Sequence, residues 1–249
     1  MGEANISGSV HLLFGGAGGI GSATARLLVA QGAKVVVAGR SEERLAHAAA
    51  ELGVETAVCD ATDFGAVERV VGEVAQRHGR LDGVANLVGS ILLKPAARTS
   101  EAEWRATIGA NLDTAFAVVR AASAVMNKSG GSIVLMSSAA ARVGLVNHDA
   151  IAAAKAGVIG LALSAAANGA PRGLRVNVVA PGLVDTPLAG AIVGNEAALK
   201  ASTAMHPLGR IGRPGDVARA IVWLLDPAQS WVTGQVLGVD GGLGTVRGR

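Results

Sequence analysis

The sequence contains no tyrosine, and its aromatic residues, three phenylalanines and three tryptophans, amount to only 2% of the chain. A folded core must therefore be filled mainly by alanine, valine, leucine and isoleucine. Hydrophobic residues occupy 50% of the 249 positions, which is enough to bury a sizeable core. The length fits one large α/β domain or two small domains. Because tyrosine is absent, this chain has no phenol group for acid–base chemistry.

Cysteine is almost absent as well. Cys59 is the only one, which excludes a disulfide bond within the chain and fits a reducing compartment. It lies in an apolar run, residues 54–59, so we expect a buried and unreactive thiol. The N-terminus lacks a basic segment followed by an apolar one, so no signal peptide is expected and the predicted location is cytoplasmic.

Long hydrophobic runs and clustered charges are also missing. No apolar stretch reaches the length of a membrane span, and the Ala-rich stretch 150–167, interrupted by Lys155, is interpreted as a buried helix. The 22 basic and 19 acidic residues are scattered, so no nucleic-acid-binding arm is predicted. The five histidines lack the spacing of a metal site, and we expect no bound metal.

Short apolar runs alternate with longer stretches of helical periodicity. This alternation predicts right-handed βαβ units and a parallel sheet with helices on both faces. We therefore predict an α/β fold, a single Rossmann-type, doubly wound domain over residues 1–249 with about seven strands. The predicted strands are residues 10–14, 34–38, 55–59, 83–87, 132–136, 175–180 and 235–239. The predicted helices are residues 20–30, 42–52, 64–77, 101–126, 149–168 and 214–225.

Local signals refine this outline. Ser41 is expected to cap the second helix, Ser100 and Glu103 form a capping box, and Pro214 lies where the first turn of a helix tolerates proline. Residues 187–207 lack a strong pattern and are predicted to form a loop with a short helix, placed where a substrate lid would lie.

A glycine-rich turn joins the first predicted strand to the first helix. It reads Gly15-Gly16-Ala17-Gly18-Gly19-Ile20-Gly21. Glycines permit the tight turn and let the backbone approach a phosphate, and the helix N-terminus attracts the negative charge. Two registers fit, the general Gly-x-Gly-x-x-Gly from residue 16 and a variant with glycines at 15, 19 and 21. Either register predicts binding of a dinucleotide pyrophosphate.

The end of the second strand indicates which dinucleotide is bound. An acidic residue there would accept hydrogen bonds from the adenosine ribose, but Gly39 and Arg40 stand in its place. An arginine pairs well with a 2′-phosphate, so NADP(H) is favoured over NAD(H). The alternative interpretation is a surface arginine that caps the next helix.

These features resemble the short-chain dehydrogenase/reductase family across essentially the whole chain, and bacterial carbonyl and 3-oxoacyl reductases most of all. Further motifs carry the resemblance: Asn86-Leu87-Val88-Gly89, Asn111, Ser137-Ser138, Asn177 and Asp240-Gly241-Gly242. Phe14, Leu87 and Val88 depart from the family pattern. The residues that the resemblance assigns to the cofactor are Gly15, Gly19, Ile20, Gly21, Arg40, Asp60, Ala61, Asn86, Gly89, Lys155, Pro181, Gly182, Val184 and Thr186.

The resemblance fails at one catalytic position. In the family, a serine, here Ser138, orients the substrate carbonyl, and a tyrosine four residues before the lysine donates the proton. Asn111 and Lys155 match the other catalytic positions, but Ile151 stands where the tyrosine belongs. Isoleucine cannot donate a proton, and loss of a general acid typically costs ~10²–10⁴-fold in rate without removing cofactor binding.

Two substitutes for the tyrosine are compatible with the sequence. If the helix begins before His148, its imidazole lies about one turn from the position of Ile151, on the same face as Lys155. Imidazole can act as an acid near neutral pH. The second candidate is a water held by Ser138, Asn111 and Lys155. A structural role remains equally open for His148, as a helix cap or as part of the rim of the site.

Two functions follow from these features. The first is an NADP(H)-dependent oxidoreductase that acts on a small carbonyl or alcohol substrate by hydride transfer, with an atypical proton donor. The second is a catalytically weak protein that binds or senses NADP(H). The resemblance further implies a homotetramer, with a dimer next, in which predicted helices 101–126 and 149–168 pack between subunits.

Overall fold

The computed structural model describes residues 6–246, which contain one seven-stranded sheet. Neighbouring strands are parallel throughout, in the order β3-β2-β1-β4-β5-β6-β7. This confirms the predicted doubly wound fold, and the predicted strand ends differ from the observed ones by one residue at most. The strands are β1 Val10–Phe14, β2 Lys34–Gly39, β3 Glu55–Val58, β4 Gly83–Asn86, β5 Gly131–Met136, β6 Leu174–Pro181 and β7 Val236–Val239.

The helices follow the predicted order, and their starts carry the expected signals. The Ser41 hydroxyl accepts the Arg44 amide at the start of the second helix, and the capping box of Ser100 and Glu103 is formed. Pro214 opens the last helix. The helices are α1 Gly19–Ala30, α2 Glu42–Leu52, α3 Phe64–His78, α4 Glu101–Ile108, α5 Thr114–Val125, α6 Asp149–Gly169, α7 Gly190–Val193, α8 Glu196–Met205 and α9 Pro214–Leu225.

The sheet is covered on both faces, because its central strands are apolar along their whole length. All five residues of β1 are buried. On one face, α3, α5 and α6 pack against the sheet through residues such as Val70, Val118 and Val158. On the other face, Leu28 of α1 and Ile221 of α9 belong to a second core cluster. Aliphatic side chains make up most of both clusters, as the low aromatic content predicts, and Phe14 is a buried aromatic residue among them.

The predicted continuous helix 101–126 is wrong in its middle. A π-helical turn, Gly109–Asp113, separates α4 from α5. Gly109 is a weak helix former at the start of this turn, and the Thr114 hydroxyl donates to the carbonyl of Ala110 at 3.0 Å. The wider turn contains Asn111, which is buried. Such turns are frequently found at functional sites.

Residues 187–207 contain more helix than the sequence predicts. A short 3₁₀ turn, Pro187–Ala189, leads into α7 and then α8. The Asn195 side chain caps α8 by accepting the Ala198 amide at 2.9 Å. The segment follows β6, at the same edge of the sheet as the loops after β1, β4 and β5, because all strands run parallel.

The most apolar helix lies against the sheet. Residues Asp149–Arg172, which comprise α6 and the turn after it, are long and apolar enough to cross a membrane by length and composition. The buried residues Val158 and Ala162 of α6 belong to the core cluster on that face. A core helix of an α/β fold has these same properties, and the Ala-rich stretch was predicted to be one.

The prediction of a buried thiol at Cys59 is confirmed. It lies at the end of β3 with only 4% of the residue exposed. Burial raises the pKa of the thiol to about 11, so the reactive thiolate is scarce at neutral pH.

Candidate active site

The glycine loop between β1 and α1 has no room for side chains. Gly15 has a φ of +73°, and a Cβ there would lie 2.9 Å from the backbone carbon of Leu87. A Cβ on Gly21 would lie 2.5 Å from the carbonyl oxygen of Gly15 and from Cα of Gly16. The backbone is therefore packed as tightly as a phosphate-binding loop requires. Helix α1 begins at Gly19, so the N–H groups of its first turn lie at this loop and are available to a phosphate.

Two arginines lie along the outer side of this loop. Arg40 follows β2 and is exposed, and the helix cap beside it is Ser41 rather than Arg40. The Arg44 guanidinium donates to the carbonyl of Ala17 in the glycine loop at 3.0 Å. Sequence reasoning missed Arg44, because its contact joins residues that are 27 positions apart. Together the arginines bring two positive charges to the end of β2, beside the negative charge of Asp60.

Asp60 follows β3 at the same edge. Its Oδ1 accepts hydrogen bonds from the amide and the hydroxyl of Thr62 at 3.0 and 2.8 Å. These bonds, foremost the one from the amide, and then the charge of Arg40 hold the pKa of the Asp60 carboxyl below its ordinary value. The neighbouring Ala61 is buried. The carboxylate is thus ionised and held still beside Arg40.

A cleft of about 150 Å³ opens at the carboxyl edge of the central strands. It brings together three of the predicted catalytic residues, Ser138, Asn111 and Lys155. It also contains the predicted cofactor residues Ile20, Gly89, Pro181, Gly182, Val184 and Thr186. The remaining lining residues are Leu87, Val88, Ser90, Ile91, Met136, Ser137, Ile151, Leu183, Leu188 and Ala189.

Lys155 is the only charged residue in this lining. Its ammonium group donates to the carbonyl of Met136 at 2.9 Å, and only 7% of the residue is exposed. Burial lowers the pKa of Lys155 to about 8. The hydroxyl of Ser137 donates to the carbonyl of Lys155 at 2.8 Å and fixes the turn of α6 that carries it. The lysine can therefore gain or lose a proton near physiological pH.

Ser138 follows β5 in an extended conformation and caps the short 3₁₀ turn Ala139–Ala141. Its hydroxyl oxygen accepts the amide of Ala140 at 3.2 Å. A hydroxyl that accepts one bond still has its own proton to donate. Ser138 can therefore donate to a substrate oxygen in the cleft.

Asn111 lies in the π-helical turn, and three hydrogen bonds to α4 and to the loop after β4 hold its side chain. Its side-chain amide donates to the carbonyl of Thr107 and to the hydroxyl of Ser90, both at 2.9 Å. Its Oδ1 accepts the amide of Ser90 at 3.2 Å. Sequence reasoning missed Ser90. The available signal was a hydroxyl residue directly after Gly89, in the loop that follows β4.

Gly89 allows Asn111 and Lys155 to approach the same point of the backbone. A Cβ there would lie 2.8 Å from Oδ1 of Asn111 and 3.4 Å from Nζ of Lys155. Asn86 lies deeper, with 2% exposed, outside the lining of the cleft. Its Oδ1 accepts the amide of Val88 at 3.2 Å and so shapes the loop after β4.

The segment from Pro181 to Thr186 closes the cleft on the side of the glycine loop. A Cβ on Gly19 would lie 2.9 Å from Cγ2 of Thr186, so this segment packs directly on the start of α1. His206, at the end of α8, accepts the amide of Leu183 through Nε2 at 3.2 Å. The predicted lid is thereby tied to the segment that lines the cleft.

The structure separates Ile151 from His148. Ile151 lines the cleft with Ser138 and Lys155, and 5% of it is exposed. His148 lies at the N-cap position of α6, outside the cleft lining, where its Nδ1 is 2.7 Å from the carbonyl of Val146. Its side chain makes no capping hydrogen bond to α6. The helix begins at Asp149, so the shared helical face expected for His148 and Ile151 is not formed.

The chain matches known proteins over nearly its whole length. A family model described as enoyl-(acyl carrier protein) reductase matches residues 15–244. The chain is 38% identical to the 3-oxoacyl-[acyl-carrier-protein] reductase FabG of Thermotoga maritima, over 96% of this chain and 98% of that protein. A short-chain type dehydrogenase/reductase from Mycobacterium ulcerans superimposes with a TM-score of 0.92 at 34% identity, covering 97% of this chain and 92% of that one.

A further solved structure is similar, that of an actinorhodin polyketide ketoreductase with NADPH. Its TM-score is 0.90 at 31% identity, over 98% of this chain and all of that chain. The resemblance read from the motifs is thus confirmed by sequence and by structure. The protein belongs to the short-chain dehydrogenase/reductase family of oxidoreductases.

Proposed function

We propose that the protein is an NADP(H)-dependent reductase that interconverts an uncharged, mostly apolar carbonyl compound and its alcohol. The observation that carries this proposal is the convergence of Ser138, Asn111 and Lys155 in one cleft beside the glycine loop. Such a constellation has a hydroxyl to hold a carbonyl oxygen and an ammonium group to hold a ribose or supply a proton. The relatives with 3-oxoacyl and polyketide ketone reductase names support a carbonyl substrate.

The preference for NADP(H) rests on the charged edge at the end of β2. Arg40 is exposed there, and Arg44 lies against the glycine loop. A phosphate ester on the adenosine ribose would meet both guanidinium groups, and arginine binds phosphate through paired, charge-assisted hydrogen bonds. The tight backbone of the glycine loop fits the pyrophosphate of the same molecule. One similar structure contains NADPH.

The chemistry assigned to the cleft divides among its residues. When bound, NADPH supplies the hydride for the carbonyl carbon. Ser138 donates a hydrogen bond to the carbonyl oxygen and stabilises the charge that develops on it. The proton for that oxygen originates at Lys155 and passes through a water held in the cleft with Ser138, Asn111 and Lys155, because Ile151 cannot supply one. Lys155, with its pKa lowered to about 8, recharges this water.

The lining indicates the class of substrate. Apart from Lys155, which takes part in the chemistry, the lining side chains carry no formal charge. Leu87, Ile91, Leu183 and Leu188 are aliphatic, and none of the lining residues is aromatic. A carboxylate or phosphate on the substrate would lose its hydration without a fixed partner. We therefore expect uncharged aliphatic or alicyclic ketones and diketones to react best.

The test of this function is NADPH oxidation by the purified protein with a matched panel. Cyclohexanone, cyclohexane-1,2-dione and menadione are compared with the charged 4-oxocyclohexanecarboxylate. Turnover of the uncharged compounds is expected, with at least ~100-fold loss in Ser138→Ala, since removing one oxyanion donor costs ~10²–10³-fold. Tight NADPH binding with no turnover of any compound would contradict the proposal.

A specific observation favours a second function. Ile151 places an inert side chain beside Ser138 and Lys155, in a cleft that is otherwise complete. Under this alternative, the protein binds or senses NADP(H) and turns over slowly or not at all. The experiment above separates the two functions, because both require NADPH binding and only the first requires turnover.

The proposal includes the oligomeric state and the cellular location of the protein. We propose a homotetramer, with a dimer as the next possibility, in which α5 and α6 contact neighbouring subunits. Phe116 of α5 and Leu163 of α6 are exposed large apolar side chains in support of such a contact. Sedimentation equilibrium measures the mass of the assembly directly. A cytoplasmic location remains a prediction, which fractionation of cells checks.

A further inference from the structure

The hydroxyl of Ser90 is unused by the mechanism above. Four hydroxyl side chains line the cleft, Ser90, Ser137, Ser138 and Thr186. Ser137 donates to the carbonyl of Lys155, and Thr186 donates to the carbonyl of Val184. Ser138 holds the substrate oxygen. Within residues 6–246, the Ser90 hydroxyl accepts a bond from Asn111 and donates to no acceptor.

The contacts with Asn111 leave the Ser90 hydroxyl proton free to donate. The Ser90 amide and hydroxyl both bind the same side chain, at 3.2 and 2.9 Å. Because the amide nitrogen of Asn111 is a donor, it occupies a lone pair of the Ser90 oxygen and leaves the O–H bond free. Asn111 itself is locked by Thr107 and has 1% exposed. Because Ser90 lines the cleft, its O–H bond is available to a ligand there.

A source of protons lies next to Ser90. Gly89 precedes it, and the absence of a side chain there lets Nζ of Lys155 approach the backbone. Asn111 faces the same point through Oδ1. The three groups thus surround one short piece of chain, and a proton path from the ammonium group to the Ser90 oxygen needs a bridging water.

A carbonyl oxygen accepts two hydrogen bonds, and the family meets this need with a serine and a tyrosine. In this chain the tyrosine position holds Ile151, so one donor is missing. We propose that Ser90 supplies the missing donor and passes its proton to the substrate oxygen. This inference rests on the proposed function.

The transfer balances as a relay. As the carbonyl carbon gains the hydride, the new C–O⁻ oxygen takes the Ser90 proton. The Ser90 oxygen takes a proton from the bridging water, the water takes one from the Lys155 ammonium, and solvent restores the lysine. Overall, one carbonyl compound, one NADPH and one proton give one alcohol and one NADP⁺. A serine hydroxyl is a much weaker acid than a phenol, so the relay needs a protonated Lys155.

The test is a double-mutant cycle of Ser90→Ala and Ile151→Tyr, measured as single-turnover reduction of the best ketone of the panel. In the native background, Ser90→Ala is expected to slow reduction at least ~100-fold, the lower range for loss of a general acid. In the Ile151→Tyr background, the same change is expected to cost less than ~3-fold, because tyrosine then donates the proton. A merely structural role would cost the same in both backgrounds.

Two further variants show whether the effect is due to the Ser90 hydroxyl. Ser90→Thr retains the hydroxyl and is expected to keep the rate within ~10-fold, and the NADPH dissociation constant should change less than ~2-fold in each variant. Ser230→Ala, at an exposed serine outside the cleft lining, is the matched control. A Ser90→Ala rate within ~2-fold of native, or an equal loss in both backgrounds, would overturn the role of Ser90. Neither result would affect the proposed function. If the native protein binds NADPH but reduces nothing in the panel, the proposed function fails as well.

Discussion

The two ends of the cleft depend on different kinds of structure. At the glycine loop, the fit comes from backbone atoms, and a Cβ on Gly15 or Gly21 would overlap with neighbouring main chain. Between β5 and α6, the site depends on individual side chains. Ile151 replaces the tyrosine there, is only 5% exposed and leaves the fold unchanged. Binding a dinucleotide is therefore a property of the fold, whereas proton transfer depends on single residues that can change while the fold persists.

The largest effect on cofactor binding is expected at the backbone end. Gly21→Ala places a methyl group 2.5 Å from two backbone atoms of Gly15 and Gly16, and neither atom can move without opening the loop. We expect a loss of NADPH affinity of up to ~100-fold together with a lower melting temperature, since overpacking typically costs ~1–3 kcal/mol. Titration of NADPH fluorescence and thermal unfolding measure both.

Gly72→Ala is the matched control for this prediction. Gly72 lies inside α3, and a Cβ there would have nothing within 4 Å. Alanine is favoured over glycine in a helix by ~0.5–1 kcal/mol, so this variant should be slightly stabilised and bind NADPH normally. If Gly21→Ala behaves like Gly72→Ala, the backbone of the loop is not what holds the cofactor.

The second prediction concerns a variant that restores a tyrosine at position 151. Ile151→Tyr adds a phenol to a cleft that already contains Ser138 and Lys155, and the ammonium group lowers the pKa of a nearby phenol. Ketone reduction should rise by up to ~100-fold, because a general acid is worth ~10²–10⁴-fold and the Ser90 relay already supplies the lower part of that range. The increase should appear in kcat, with NADPH affinity within ~2-fold of native. An unchanged kcat with a folded protein would mean that more than the tyrosine is missing.

The third prediction concerns the charged edge after β2. Arg40→Asp replaces a phosphate ligand by an acceptor for ribose hydroxyls, so the ratio of NADPH to NADH affinity should fall by ~10–100-fold, the worth of one or two charged hydrogen bonds. Lys128→Asp makes the same charge change at an exposed position between α5 and β5, at the opposite edge of the sheet. A similar shift in both variants would point to net charge rather than to a 2′-phosphate site.

The pH dependence follows from Lys155. Its pKa is lowered to about 8 by burial, so the ammonium form that supplies protons predominates below that pH. Carbonyl reduction should be constant at lower pH and fall about tenfold per pH unit above the pKa, while alcohol oxidation should rise through the same range. Rates at saturating cofactor over this range measure both. A reduction rate without an inflection near this pKa would exclude Lys155 as the proton source.

The sequence was sufficient for the parts that many residues determine together. Seven apolar runs in alternation with helices predicted the sheet, and the glycine spacing predicted the loop, because both patterns extend over several positions. Single contacts were out of reach. The hydrogen bonds between Ser90 and Asn111 join positions 21 apart, and the π-helical turn that orients Asn111 shifts only one turn of hydrogen bonds. Where α6 begins was also ambiguous, and the position of His148 depends on that start.

The smallest effect is expected at His148, a residue near the side-chain end of the cleft that does not line it. Its imidazole contacts the carbonyl of Val146 and does not line the cleft, so His148→Ala should leave kcat at saturating NADPH within ~2-fold of native. The backbone turn before α6 has a positive φ of 64° at Asn147, directly before His148. A loss of ~10-fold or more, with a shift of the pH profile, would mean that this turn rearranges when substrate binds and brings the imidazole to the site beside Ile151.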